Sequence, residues 1–244
     1  MEKKYTTISF IKDIAFIAVV FVVFATFVAF SFHIPSGSME PTLEVGDRII
    51  VTKFDYGYSR YSAFFDPTFL PEDHVWEDAP ERGDVVVFTL PYRNNTDFIK
   101  RVIGLPGDRI QMQAGQLIIN DVIVPRSLVR EVDYTSYLGA NYKVSEYDET
   151  LPNGVVHRIY ERSDTGPLDN TGIYIVPPDH YFMMGDNRDG SADSRVLQDM
   201  GYVHKKYLVG KARFTTFSLY DCDQGKEITC ALGIPFGRFF NGIN

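Results

Sequence analysis

The residue types able to do chemistry concentrate in three short stretches. The first is IPSGSMEPTLEVGDRIIV (34–51), where Ser36 and Ser38 flank Gly37 between Pro35 and Pro41. A glycine between two hydroxyls suits a tight, exposed turn that a substrate can approach closely, although such a motif alone is simply a turn. A serine nucleophile needs a base. His33, His74, His157, His180 and His204 are available, but no G-x-S-x-G elbow accompanies them. His33 reads as an interfacial residue and the other four as surface residues.

Lys100, in the second stretch, is the better candidate. In a strand of period two, Phe98, Lys100 and Val102 share one face. On an inward face the ammonium is desolvated and its pKa falls. From about 10.4, only about one lysine in a few thousand is neutral at pH 7; a pKa of about 8 costs roughly 3 kcal/mol and frees nearly a tenth. That suffices for a general base on a hydroxyl. The alternative is a lysine reaching from a half-buried strand into solvent. The third stretch is GDNRDGSADSR (185–195). As a calcium loop starting at Asp186 it fails, because Arg188, Ser191 and Leu197 stand where an oxygen ligand, Gly and Glu are needed. What remains is either a solvated turn or a charged brace in which Asp186, Asp189 or Asp193 pairs with Arg188 or Arg195.

Such residues act only when a scaffold holds them. The chain has 244 residues, enough for one large domain or two small ones. With 45% apolar and 23% charged residues it is globular rather than disordered. A net charge of −8 argues against a nucleic-acid partner. Two cysteines are too few for a disulfide framework or a tetrahedral zinc site.

One segment departs from that average. Ile14–Phe32 carries no charge and only Thr26 and Ser31 as polar residues. As a helix it would span roughly 28 Å, close to a bilayer's hydrocarbon core. It is too long for the apolar part of a signal peptide and lacks a small-x-small exit, so a retained transmembrane anchor is expected. Lys3, Lys4 and Lys12 precede it, whereas only Arg48 lies in the next twenty residues. The N-terminus is therefore expected in the cytoplasm and everything after His33 outside. Outside, Cys222 and Cys230 could pair or stay as thiols.

The exported part reads as β. The runs 46–54, 83–90, 97–104, 172–177 and 207–217 are rich in β-branched and aromatic residues and bounded by Gly, Pro and Asp. Residues 109–120 read as a hairpin turning at Ala114-Gly115, and Pro106-Gly107 suits the centre of a type II turn. Residues 54–82, dense in aromatics, are either a loop resting on the membrane or one packed on its own domain. Residues 121–170 are polar and turn-rich and read as an insertion.

Taken in order, the anchor, PSGSMEPTL (35–43), GDVVVF (83–88), FIKRVIGLPGDRI (98–110) and GDNRDGSADSR (185–195) closely resemble type I signal peptidases, membrane-anchored serine proteases that cut signal peptides from exported proteins. The resemblance leaves out 54–82, 121–170 and the C-terminal tail. It implies Ser38 as nucleophile and Lys100 as general base of a Ser-Lys dyad. Ser36 would join the Ser38 N–H in an oxyanion hole, where one donor contributes about 2.7–4 kcal/mol. Ser191 would orient the lysine amine, and Asp193 with Arg195 would form a supporting ion pair, Asp186 standing in the same brace. Ile34, Met39, Leu43, Phe98 and Ile99 would line shallow pockets for the small side chains of an Ala-x-Ala site; Tyr is also familiar at the Phe98 position. No metal or cofactor is implied. The partners are signal-peptide-bearing preproteins and membrane lipid, and the location is a bacterial plasma membrane. The chain has one anchor where some members have two, and a shorter insert than the largest members.

The expected architecture is mainly β: a cytoplasmic N-terminus (1–13), a transmembrane helix (14–32), a catalytic domain (33–110 and 172–220), an inserted β subdomain (111–171) and a C-terminal tail (221–244). Competing readings are a dedicated Ser-Lys maturation peptidase for a pilus or conjugation protein, a repressor-type Ser-Lys autoprotease, and an inactive membrane-tethered scaffold. The anchor and the lack of a DNA-binding segment speak against the autoprotease.

Overall fold

The computed structural model describes residues 7–63, 71–135, 139–219 and 236–243. It opens with one helix, α1 (Thr7–Phe27), whose apolar side chains meet almost no protein. Phe16 is 69% exposed and Ile17 65%, which in water would be a steep penalty. Ile8–Phe27 is long and apolar enough to cross a membrane, and lipid removes that penalty. The helix is a membrane anchor.

The anchor's end differs from the expected Ile14–Phe32. The helix stops at Phe27, and Ala29–His33 is strand β1. It runs antiparallel to β2 (Asp47–Thr52), with Ala29 opposite Thr52 and His33 opposite Arg48. A run of apolar residues carries no period that separates helix from strand. Here the backbone partner decides: β1 covers the edge of β2, whose N–H and C=O groups would otherwise face nothing. Ser38 consequently lies eleven residues beyond the helix end, with a strand between them.

Two further strands build the floor of the site. β3 (Val85–Leu90) is buried throughout, and β4 (Thr96–Gly104) is buried from Lys100 onward. They pair antiparallel, with Val86 opposite Lys100 and Phe88 opposite Phe98. After a turn at Pro106-Gly107 come β5 (Arg109–Gln113), β6 (Gln116–Ile119) and β7 (Val122–Ile123). Gly107 has φ +91° and Asp108 N–H donates to Leu105 O at 3.0 Å, as a type II turn requires. The β5–β6 hairpin turns at Ala114 and Gly115, both left-handed (φ +48° and +69°), which matches the twist of the strands.

Next come β8 (Arg126–Thr135), β9 (Asn141–Thr150) and β10 (Val156–Glu161), a three-stranded sheet in the order β10-β9-β8. β11 (Tyr174–Ile175) returns to pair with β5. The chain then adds β12 (His180–Met184), β13 (Val203–His204), β14 (Leu208–Ser218) and β15 (Asn241–Gly242). The large sheet reads β1-β2-β14-β3-β4-β12-β13, with β15 on β14. The fold is mainly β, as the sequence led one to expect.

Apolar residues pack on both faces of β3 and β4. Val86, Phe88, Val102 and Met183 form one cluster, with Phe98 against it. Val85 and Val87 form the other with Ile34, Met39, Leu43 and Ile49, and Ile99 packs against that one. The aromatic segment after β2 touches the helix exit. The Tyr58 hydroxyl donates to Phe27 O at 2.7 Å, and the two rings meet edge-on at 5.2 Å. Tyr56 is buried, whereas Trp76 is 81% exposed. Phe64, Phe65, Phe69, Cys222 and Cys230 lie outside the described residues.

Candidate active site

The three stretches singled out in the sequence meet here. Residues Gly37–Met39 form one 3-10 turn entered from an extended Ser36 (φ −137°, ψ 153°). Glycine at 37 leaves room for the Glu40 carboxylate, which a Cβ there would meet at 2.9 Å. Met39 and Leu43 are fully buried and pin the turn to the sheet. Ser36 stays exposed and Ser38 half-buried.

β4 delivers Lys100 to that turn from its buried position. Lys100 is 3% exposed, and its Nζ lies 2.6 Å from Ser38 Oγ and donates to Ile99 O at 3.0 Å. Burial pushes its pKa down to about 8, against the pull of the Asp193 and Asp186 carboxylates and with help from the Arg195 guanidinium. An amine with that pKa can take a hydroxyl proton at neutral pH. The first half of β4 pairs only with β3, because β12 joins β4 from Arg101 onward. The outer edge of Thr96–Lys100 is therefore open to an added strand.

The 185–195 loop closes the site from the other side. Its Asp193 accepts from Arg195 Nε at 2.8 Å and Nη2 at 2.9 Å, and its second oxygen also accepts Gly185 N–H at 3.1 Å. Asp186 pairs instead with Arg101, the residue next to Lys100 on the opposite strand face. Arg101 donates to it from Nε at 2.9 Å and Nη2 at 2.8 Å, and Thr42 Oγ1 donates at 2.6 Å. Arg188 pairs with Glu149 of β9 at 2.8 and 2.5 Å. Asn187 N–H donates to Ser38 O at 3.2 Å, so the loop grips the serine turn directly. Gly185 is obligatory between them, since a Cβ would sit 2.3 Å from Ser191 Oγ and 2.4 Å from Ser38 O. Ser191 Oγ itself is buried and has no hydrogen-bond partner among the described residues.

Ser38, Lys100, Ser191, Asp193, Arg195 and Asp186 are thus assembled in one place, although no hydrogen bond links Ser191 to Lys100. Ile34, Met39, Leu43 and Ile99 share one apolar cluster, whereas Phe98 stacks on Phe88 in the other. Three members of the constellation went unnoticed in the sequence: Arg101, Thr42 and Glu149. Strand parity was the usable signal for Arg101, because alternate residues of β4 serve opposite faces.

His157 corrects the expectation of a surface histidine. Its side chain is wholly buried between two ion pairs, Nε2 lying 3.4 Å from Glu149 and 3.9 Å from Asp186. Burial, followed by the neighbouring Arg101, pushes its pKa down to about 4, so it is neutral. It stands behind the brace, not beside Ser38. Its polar sequence surroundings mislead because this interior is itself charged.

Among the described residues one carboxylate trio, Glu161, Asp169 and Asp189, lies close enough to hold a cation, with one oxygen from each within 4.8 Å of the others. Burial pushes Glu161 up to about 9, with the Asp189 carboxylate adding to the rise, so it keeps its proton at neutral pH.

The family model described as "Signal peptidase, peptidase S26" matches residues 7–217. A signal peptidase I of Rickettsia bellii is 39% identical over 230 residues, covering 87% of this chain and 78% of the relative. One from Rickettsia typhi is 42% identical over 195 residues, covering 77% and 71%. A crystal structure of a signal peptidase I from Enterococcus faecalis is 28% identical and covers 55% of this chain and 97% of that one, with a TM-score of 0.32. With most of its length matched, through the anchor and all three site stretches, the chain belongs to the signal peptidase family S26, serine endopeptidases that cut signal peptides from preproteins.

Proposed function

We propose that Ser38 and Lys100 are the catalytic dyad of this signal peptidase. The observation that carries the reading is the 2.6 Å contact between Lys100 Nζ and Ser38 Oγ in a buried, pKa-lowering site. Neutral Lys100 takes the Ser38 proton as Oγ attacks the scissile carbonyl. The oxyanion accepts from the Ser38 N–H and the Ser36 hydroxyl. The lysine ammonium then protonates the departing amine, leaving an ester on Ser38. Water, deprotonated by Lys100, releases the cleaved signal peptide. Ser191 turns its free hydroxyl to the amine during this cycle, and Asp193–Arg195 and Asp186 hold the loop in place.

The substrate lies extended on the open edge of β4, its small side chains in shallow pockets beside Ile34, Met39, Leu43, Phe98 and Ile99. Cleavage follows a small-x-small site of the Ala-x-Ala kind. The chain leaves the large sheet at β5 and returns beside it at β11, Tyr174 facing Ile110. That supports an insertion spanning 111–171 within a catalytic domain of 33–110 and 172–220. Lys3 and Lys4 before α1 support an N-terminus in the cytoplasm of a bacterial cell, with the catalytic domain across the plasma membrane.

A panel of unrelated secretory precursors in detergent micelles tests this. Each is expected to be cut after its small-x-small site, as read from the mass of the released N-terminus. Cutting of one precursor alone would favour a dedicated maturation peptidase, and cutting of none would sink the reading.

Exposed Phe54, Trp76 and Phe240 support docking of the domain on lipid, the role their amphipathic neighbours play at interfaces. Replacing the three with Ser removes roughly 1.5–3 kcal/mol of burial per side chain, but α1 still holds the chain at the membrane, so cleavage of membrane-embedded precursor is expected to fall by about fivefold or more. A soluble peptide should be cut nearly as before; equal losses on both substrates would exclude docking.

A further inference from the structure

The Ser38 N–H can serve an oxyanion only if its peptide plane points the right way. That plane belongs jointly to Gly37 C=O and Ser38 N–H, which a trans peptide bond sets antiparallel. Gly37 O accepts from Asn187 Nδ2 at 3.0 Å and from Glu40 N–H at 3.2 Å. Asn187 backbone N–H also donates to Ser38 O at 3.2 Å, so a single residue holds the carbonyls on both sides of the nucleophile.

The orientation of the Asn187 amide follows from its own partners. Gly190 N–H donates to Oδ1 at 3.1 Å, which leaves Nδ2 to donate to Gly37 O and, at 3.3 Å, to the Tyr134 hydroxyl. The side chain is 5% exposed and cannot swing away, because Gly190 packs so closely that a Cβ there would lie 2.6 Å from Asn187 Cγ. Both ends of the amide are used, and the group is rigid.

We infer that Asn187 is a positioning residue that sets and polarises the Ser38 oxyanion donor, through the hydrogen bond from its Nδ2 to Gly37 O. Its side-chain hydrogen bonds go to Gly37, Tyr134 and Gly190 and not to Lys100, so it acts through the serine turn. Pulling Gly37 O from behind turns Ser38 N–H toward the developing oxyanion and makes it a stronger donor, since hydrogen bonds in a chain reinforce one another. The inference rests on the proposed role of Ser38.

The test uses the full-length enzyme in micelles with an Ala-x-Ala peptide substrate, and a matching peptide aldehyde that forms a hemiacetal with the serine. The variants are Asn187→Ala and Asn187→Asp; the latter keeps the acceptor for Gly190 N–H and sets a carboxylate oxygen, in place of the donor, against Gly37 O. Removing an oxyanion donor outright costs about 10²–10³ in kcat, so misorienting one is expected to cost about 10–100-fold. KM should stay within about threefold, and aldehyde affinity should fall in step with kcat. A folded variant with kcat within about twofold of wild type, a loss appearing in KM alone, or unchanged aldehyde affinity would each overturn the inference. If one variant fails to fold, the other is read by the same criteria. Failure of the Ser38 assignment shows separately, as full activity in Ser38→Ala.

Discussion

Ser38→Ala and Lys100→Met are each expected to lower kcat/KM for peptide cleavage by about four orders of magnitude or more, and the double variant should be scarcely worse than either. The two side chains act as one unit, because the hydroxyl attacks only as its proton leaves for the amine. Wild-type kcat/KM should climb with pH and level off above about 8, where the buried lysine loses its proton. A flat profile between pH 6 and 9, or cutting that survives Lys100→Met, would remove the lysine from the mechanism.

Lys100→Met should also stabilise the fold at neutral pH. The lysine's pKa is about 8 when folded, against 10.5 in the unfolded chain. Below pH 8 both states carry the proton, and the folded state bears the full penalty for its buried charge, about 3 kcal/mol. Between pH 8 and 10.5 the folded protein sheds that proton first, and wild-type stability rises. The variant's gain is the penalty less the hydrogen bonds to Ser38 and Ile99 O, so Tm should rise by several degrees at pH 7. Thermal melts at pH 7 and pH 10 check this, and the gap should narrow at the higher value. A lower Tm at pH 7 would mean the amine is better solvated than its 3% exposure indicates.

Asp186→Asn is expected to have the largest effect on stability, about 3–5 kcal/mol, because it strands a buried guanidinium. The Arg101 side chain is 0% exposed and that of Asp186 1%, and the pair is bidentate. Burial alone would raise the Asp186 pKa, but Arg101 outweighs it and holds the carboxyl below its usual range. The stability this contributes is present at neutral pH and is lost as pH falls through that lowered value. Asp186→Leu combined with Arg101→Met should recover most of the loss, since breaking a buried pair costs more than replacing it. Denaturant midpoints of the single and double variants decide the matter. A double variant no better than the singles would show that Thr42 and Gly83, the other partners of these two groups, depend on the charges as well.

The chemistry was easier to read from the sequence than the interior that supports it. Ser38, Lys100 and the 185–195 loop stand out because their residue types are unusual for a turn, a strand and a loop. β8, β9 and β10 escaped notice as separate strands for a physical reason. Glu146 and Glu149 are buried on opposite faces of β9, Glu146 pairing with Arg130 and Arg158 and Glu149 with Arg188. Buried faces made of ion pairs leave no alternation of apolar and polar residues to follow. His157 was misplaced on the surface for the same reason. The anchor's end was misplaced for the opposite one, since an all-apolar run has no polar residue to mark where helix gives way to strand.

Sequence alone determined the family, the membrane anchor, the β character and the identity of the residues proposed to react. These depend on local composition and on motif spacing, which survive in one dimension. Tertiary structure alone decided which charges pair. Arg101 reaches Asp186 across 85 positions and Arg188 reaches Glu149 across 39. It also decided that Phe98 leaves the cluster of Ile34, Met39 and Leu43, and that Asn187 grips the serine turn. Pairing at such separations follows from strand register and from the face each residue occupies, and both are settled only when the sheets close on one another.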